Sequence, residues 1–254
     1  MNEKNIQMLP IVVTVILGSI LLTWFLIANP AKDFALLVPG MDNRPAAMSV
    51  SGEVVDIGAV YAAFDGIPSV TGGSWPRFRG ADFNNISVED TKLADSWSGS
   101  GPELLWSVEL GEGHAGPVVA NGCVYIMDYD EESRTDLLRC FSFDDGKEIW
   151  RRGYDVFVKR NHGMSRTVPA VTDKYVITMG PKCHVMCVDA DTGDFRWGID
   201  LVRDYGAEMP LWYTGQCPLI DNDLAIIAVG GLSLLIAVDC ETGEVVWETP
   251  NPDG

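Results

Sequence analysis

The sequence predicts an all-β fold, a β-propeller of four-stranded blades preceded by an N-terminal apolar helix. Three observations predict it. A glycine followed four residues later by tryptophan recurs at Gly146/Trp150, Gly193/Trp197 and Gly243/Trp247. With Trp106 as the opening member, successive tryptophans lie 44, 47 and 50 residues apart. Each interval also holds a second recurring pattern, a proline followed by two apolar runs around a polar turn. Two hairpins per interval make a four-stranded unit, and such units at ~40–50-residue spacing are a propeller signature.

The composition fits an ordinary folded chain of 254 residues, 47% hydrophobic and 21% charged. Glycine (26) and proline (14) favour turn-rich β structure over helix bundles. Asp and Glu number 36 against 18 Lys and Arg, a formal charge of -18. A chain this acidic has no global attraction to nucleic acid, so none is expected as a partner.

The first element is apolar. No charged side chain occurs from Asn5 to Ala31, and Ile11 to Ala28 is the apolar heart of that run. A helix of roughly 20 apolar residues spans a bilayer core. Pro10 suits a first helical turn and Asn29-Pro30 a stop. A cleaved signal peptide would show a shorter run and an Ala-x-Ala-like site. Residues 1–31 are therefore expected to be an uncleaved transmembrane anchor, in a single-pass protein of the cytoplasmic (inner) membrane. The acidic body is expected on the periplasmic, extracytoplasmic side. Residues 32–74 read as a connector with two short apolar runs, and 75–254 as the blades.

Within the blades, units of about 106–150, 150–197 and 197–247 are expected. Pro117–Ile126, Pro169–Ile177 and Pro218–Ile227 each read as strand, tight turn, strand. The segments ending in Trp150, Trp197 and Trp247 form the second hairpin, where glycine supplies the positive φ of the turn. Trp150, Trp197 and Trp247, with Gly146, Gly193 and Gly243, are the expected docking residues between blades. An indole there buries perhaps 200 Å², and its N–H calls for a backbone acceptor from the adjacent blade. Closed rings have about 4–8 blades. Three units are fewer, so further blades are expected from a longer chain or from a partner.

The pattern Ala237-x-Asp239-x-x-Thr242-Gly243-x-x-x-Trp247 resembles the docking repeat of pyrroloquinoline-quinone (PQQ)-type propellers. Residues 187–197 depart from it at Cys187, and residues 140–150 at Cys140, Ser142 and Asp145. Trp75-Pro-Arg-Phe-Arg-Gly80 is similar to the opening of membrane-attached members. The resemblance covers about residues 75–254. It implies the fold, and it implies two kinds of function, since such repeats serve both quinoprotein dehydrogenases and non-catalytic scaffolds.

The candidate site lies in the loops before each blade's first strand, which should converge near the axis. They carry His114; Arg160, His162 and Arg166; and Trp212, Tyr213 and Gln216. Cationic, aromatic and amide groups together suit an anionic planar ligand, a peptide or a glycan. The competing reading has Arg and His capping buried carbonyls. Cys183-His184-Val-Met-Cys187 fits no zinc or haem spacing, and no metal is expected there. Cys140 and Cys187 sit at equivalent, core-like positions. The function expected is a ligand- or protein-binding assembly platform. The alternative is a PQQ-dependent dehydrogenase of alcohols or sugars, with Ca²⁺ polarising the quinone. Catalysis of that kind needs carboxylate and amide ligands with a general-base Asp, and no such set can be placed on these blades.

Overall fold

The computed structural model describes residues 3–28, 54–87, 89–90, 92–97, 99, 101–159 and 164–252. Residues 1–41 and 42–254 form two compact units. In the first, α1 spans Glu3–Ile27. It begins seven residues before Pro10, earlier than the proline suggests. Its side chains from Val12 to Ile27 are exposed. Among the described residues no helix is long and apolar enough to cross a membrane.

Among its described residues the second unit is all-β apart from one short helix, and its sheets are antiparallel. Blade I contains β2 (Val118–Ala120), β3 (Cys123–Asp130), β4 (Thr135–Ser142) and β5 (Glu148–Asp155). Blade II contains β6 (Ala170–Val171), β7 (Tyr175–Met179), β8 (His184–Asp189) and β9 (Phe195–Asp200). Blade III contains β10 (Leu219–Asp221), β11 (Leu224–Ala228), β12 (Ser233–Asp239) and β13 (Val245–Pro250). Strands run in sequence order from the first to the fourth in every blade. The helix α2 (Leu201–Tyr205) follows β9, with Asp200 accepting from the amides of Val202 and Arg203 as its N-cap.

Alternation of side chains gives blade II two buried faces. Tyr125, Met127, Leu138, Trp150 and Tyr154 of blade I pack against Val176, Met186 and Val188 of blade II. The opposite face of blade II, with Ile177, Val185, Cys187 and Trp197, packs against Ile220, Ala225, Ile236 and Val238 of blade III. The strand parity that divides Val176 from Ile177 thus divides the core into two seams.

The docking geometry repeats in register. An added Cβ at Gly146 would lie 2.6 Å from the Trp106 ring, at Gly193 2.5 Å from Trp150, and at Gly243 2.6 Å from Trp197. All three glycines have φ near +70°, so the turn and the close approach both require glycine. Asp189 and Asp239 fix the second and third of these turns by accepting from the amides of Thr192 and Thr242, three residues on. The indole N–H of Trp106 donates to the Phe143 carbonyl at 3.0 Å, and that of Trp197 to Cys240 at 2.9 Å. Trp150 differs. The equivalent carbonyl, Ala190, accepts from the Tyr125 hydroxyl at 3.0 Å instead. Trp150 Nε1 is left buried with no partner among the described residues.

The stretch read as connector contains an ordered strap. Its strand β1 (Val60–Ala63) pairs antiparallel with β5 and gives blade I a fifth, outermost strand. Arg152 anchors the strap by donating to the carbonyls of Gly58 and Gly193, with its guanidinium 4.0 Å from the Tyr61 ring centroid. Further along, Trp75 bridges to Val119, so the strap passes from the outer strand to the inner one.

Candidate functional site

The loops before the first strands do meet. The amides of His114 and Ala115 donate to the Ser165 carbonyl at 3.2 and 3.1 Å. Arg166 reaches 47 residues forward, donating from Nη2 to the Tyr213 carbonyl at 2.6 Å and from Nε to Thr214 at 3.1 Å. Tyr213 is buried, has φ +62°, and donates its hydroxyl to the Lys159 carbonyl at 3.0 Å. Gln216 pairs through its side-chain amide with both backbone groups of Ala228, as a strand neighbour would. His114 and Trp212 are exposed. Arg160 and His162 lie outside the described residues.

Five of the predicted residues thus lie in these neighbouring loops, and three of them, Arg166, Tyr213 and Gln216, spend polar groups on the fold. Arg166 holds carbonyls from a segment whose left-handed residue is unfavourable for a tyrosine, so it stabilises the loop rather than offering a free cation. The quinone reading can be tested against these groups. PQQ is a polyanion that needs unengaged cationic donors, and its Ca²⁺ needs clustered oxygen ligands. Among the described residues, no group of three or more His, Cys, Asp and Glu could hold a metal ion. The described loop residues do not fit that cofactor.

A cleft of about 760 Å³ lies elsewhere, on the face of blade I turned away from blade II. It is lined by Glu109, Glu112, Asp128, Glu131, Arg139 and Arg151, among others. Its two arginines are committed. Arg139 makes paired hydrogen bonds to Glu148 at 2.9 Å and reaches Asp128 at 3.1 Å, and Arg151 also bonds Glu148. Burial pushes the Glu148 carboxyl up, but the two guanidinium groups outweigh it and hold the group below its ordinary range.

A buried polar group that the loop reading missed sits in the seam between blades I and II. Asp136, fully buried on β4, accepts from Ser165 Oγ at 2.6 Å and from the Tyr154 hydroxyl at 3.0 Å. Burial pushes its carboxyl up to about 7, against the opposing pull of the two hydroxyl donors. The signal was present in the sequence, since Asp136 shares strand parity with Leu138 and Cys140 on the core face. The six cysteines are all free thiols, five of them buried, and burial raises the Cys183 thiol to about 11.

Similar solved structures include a europium-containing methanol dehydrogenase (18% identity, TM-score 0.42), covering 59% of this chain and 28% of that one. A quinohemoprotein alcohol dehydrogenase from Comamonas testosteroni matches at 21% identity and TM-score 0.41, over 57% of this chain and 22% of that one. BamB from Moraxella catarrhalis matches at 16% identity and TM-score 0.38, over 57% and 39%. The chain therefore spans well under half the length of each of these structures. No curated protein matches it. The recurring Gly–Trp docking units fall within residues 84–254, which match the family described as outer membrane protein assembly factor BamB, and the chain belongs to that family.

Proposed function

We propose that this chain is a non-catalytic binding and assembly platform whose loop face meets a protein partner. The observation that carries this reading is the use of Arg166, Tyr213 and Gln216 as fold-holding groups, which leaves a rigid loop cluster presenting exposed His114 and Trp212. Rigid loops present contact side chains at little ordering cost. The family's description as an assembly factor agrees with it. The alternative is a PQQ-dependent dehydrogenase. We further propose that α1 attaches the protein to the inner membrane with the body on the periplasmic side; its uncharged run from Asn5 to Ala31 supports this. Any blades beyond the three come from a longer chain or a partner.

Adding PQQ and Ca²⁺ to the purified chain tests the first proposal. The platform reading predicts no quinone absorbance after gel filtration and no dye-linked alcohol oxidation. Retained quinone with turnover would replace it by the dehydrogenase. For the anchor, deleting residues 1–31 should move the protein from the membrane to the soluble fraction. Unchanged fractionation would refute attachment through α1.

A further inference from the structure

The seam between blades I and II contains a carboxyl group that no cation among the described residues neutralises. Asp136 lies on β4 opposite Tyr129 on β3 and Tyr154 on β5. Its two oxygens are taken by the hydroxyls of Tyr154, from blade I, and Ser165, from the loop leading to blade II. The contact is closed from the blade II side as well. A Cβ at Gly180, just after β7, would fall 1.9 Å from the Tyr154 hydroxyl oxygen and 2.7 Å from Asp136 Oδ2. The Tyr154 ring in turn meets the His184 ring of β8 edge-on, with centroids 5.2 Å apart.

The described charged and titratable neighbours do not compensate it. From β3, Asp128 adds negative charge and Tyr129 a neutral phenol whose hydroxyl donates to Val156. From blade II, Cys183 and Asp200 face Tyr154, and His184 Nε2 lies 3.8 Å from Asp200 Oδ2. Among the described residues the nearby cations are turned elsewhere. Arg134 stacks over Phe157, Arg139 is held by Asp128 and Glu148, and Arg166 is held by carbonyls. Ionising Asp136 therefore places a charge with no described counter-cation in a fully buried, close-packed contact, which favours any state in which the seam admits water.

We propose that Asp136, Tyr154 and Ser165 form a pH-operated latch, closed while Asp136 is protonated and weakened when it ionises, so that blades I and II part more readily above neutral pH. The sign follows from linkage. A group whose pKa is raised in the closed state stabilises that state fully below its open-state value and loses this stabilisation as pH rises through the closed-state value. The window runs from the ordinary carboxyl value of 3.8 to about 7.

Amide hydrogen exchange of the full chain as a function of pH, corrected for intrinsic exchange rates, reads the latch directly. The reporters are the amides of Val156, Val158 and Gly180, which are hydrogen-bonded at this seam. The opening constant should rise close to tenfold per pH unit between about pH 5 and 6.5 and level off above about 7. Tyr154→Phe removes one donor to the anion, so its levelling-off point should move to higher pH. Asp136→Asn should abolish the dependence, and Ser165→Ala repeats the Tyr154→Phe test if the Asn variant fails to fold. Opening constants in the wild type that do not change between pH 5 and 8 would overturn the proposal. So would a pH dependence that Tyr154→Phe and Ser165→Ala both leave unmoved.

Discussion

Truncating Trp197 to alanine should be among the most costly single changes in this protein. The residue is 7% exposed, packs against Gly243 of blade III, and donates to the Cys240 carbonyl at 2.9 Å. Roughly 200 Å² of buried indole at about 25 cal/mol per Å² amounts to about 5 kcal/mol before relaxation. Partial collapse of the cavity brings the expected loss to about 3–5 kcal/mol. Replacement by phenylalanine separates packing from the hydrogen bond. Trp197→Phe deprives the Cys240 carbonyl of its indole donor and leaves it only the weak Cys187 Sγ contact at 3.5 Å, whereas Trp150→Phe removes an N–H that has no partner among the described residues, and the Ala190 carbonyl keeps Tyr125. Trp197→Phe should therefore cost about 1 kcal/mol more than Trp150→Phe, the worth of one net hydrogen bond. Urea unfolding followed by circular dichroism gives both values from the midpoints. An unchanged midpoint for Trp197→Ala would refute the docking role, and equal costs for the two Phe variants would refute the account of Trp150.

Two further substitutions test the polar contacts. Arg166→Ala should lower stability by roughly 2–3 kcal/mol, because it strips donors from the Tyr213 and Thr214 carbonyls, and Arg166→Lys, which lacks the planar fork, should not restore it; a stable Arg166→Ala protein, measured by thermal melting, would count against the capping role. Glu148→Gln should cost roughly 3 kcal/mol at pH 7 by breaking a mostly buried pair. Because Glu148 is held below its ordinary value, its contribution is present above about pH 4.5 and is lost as pH falls through the folded-state value; urea midpoints at pH 4 and 7 that fall in parallel for wild type and variant would contradict this.

The repeat was legible because its chemistry is local. A positive-φ glycine, an aspartate that accepts from its own turn, and a tryptophan four residues on are all set within eleven residues, as at Ala237–Trp247. Loops before the first strands were legible as a group for the same reason. What their side chains do was not, since Arg166 finds its carbonyls 47 residues away. Strand β1 has only four residues, Val60–Ala63, and no pattern that points to the edge of β5 as its partner. The Trp150 exception depends on Tyr125, a residue of another strand that reaches the same carbonyl first. Asp136 was visible as a charged residue on a core-facing parity, but its two hydroxyl partners come from 18 and 29 residues away.

The most direct test of the platform reading is site-specific photo-crosslinking in the parent cell. A photoreactive residue at His114 or Trp212, on the loop face, should yield a discrete protein adduct. The same residue at Lys147, exposed in the turn between β4 and β5 at the outer side of blade I, should not. Adducts absent from both loop positions, or equally strong at Lys147, would contradict the claim that this chain binds a protein through its loop face.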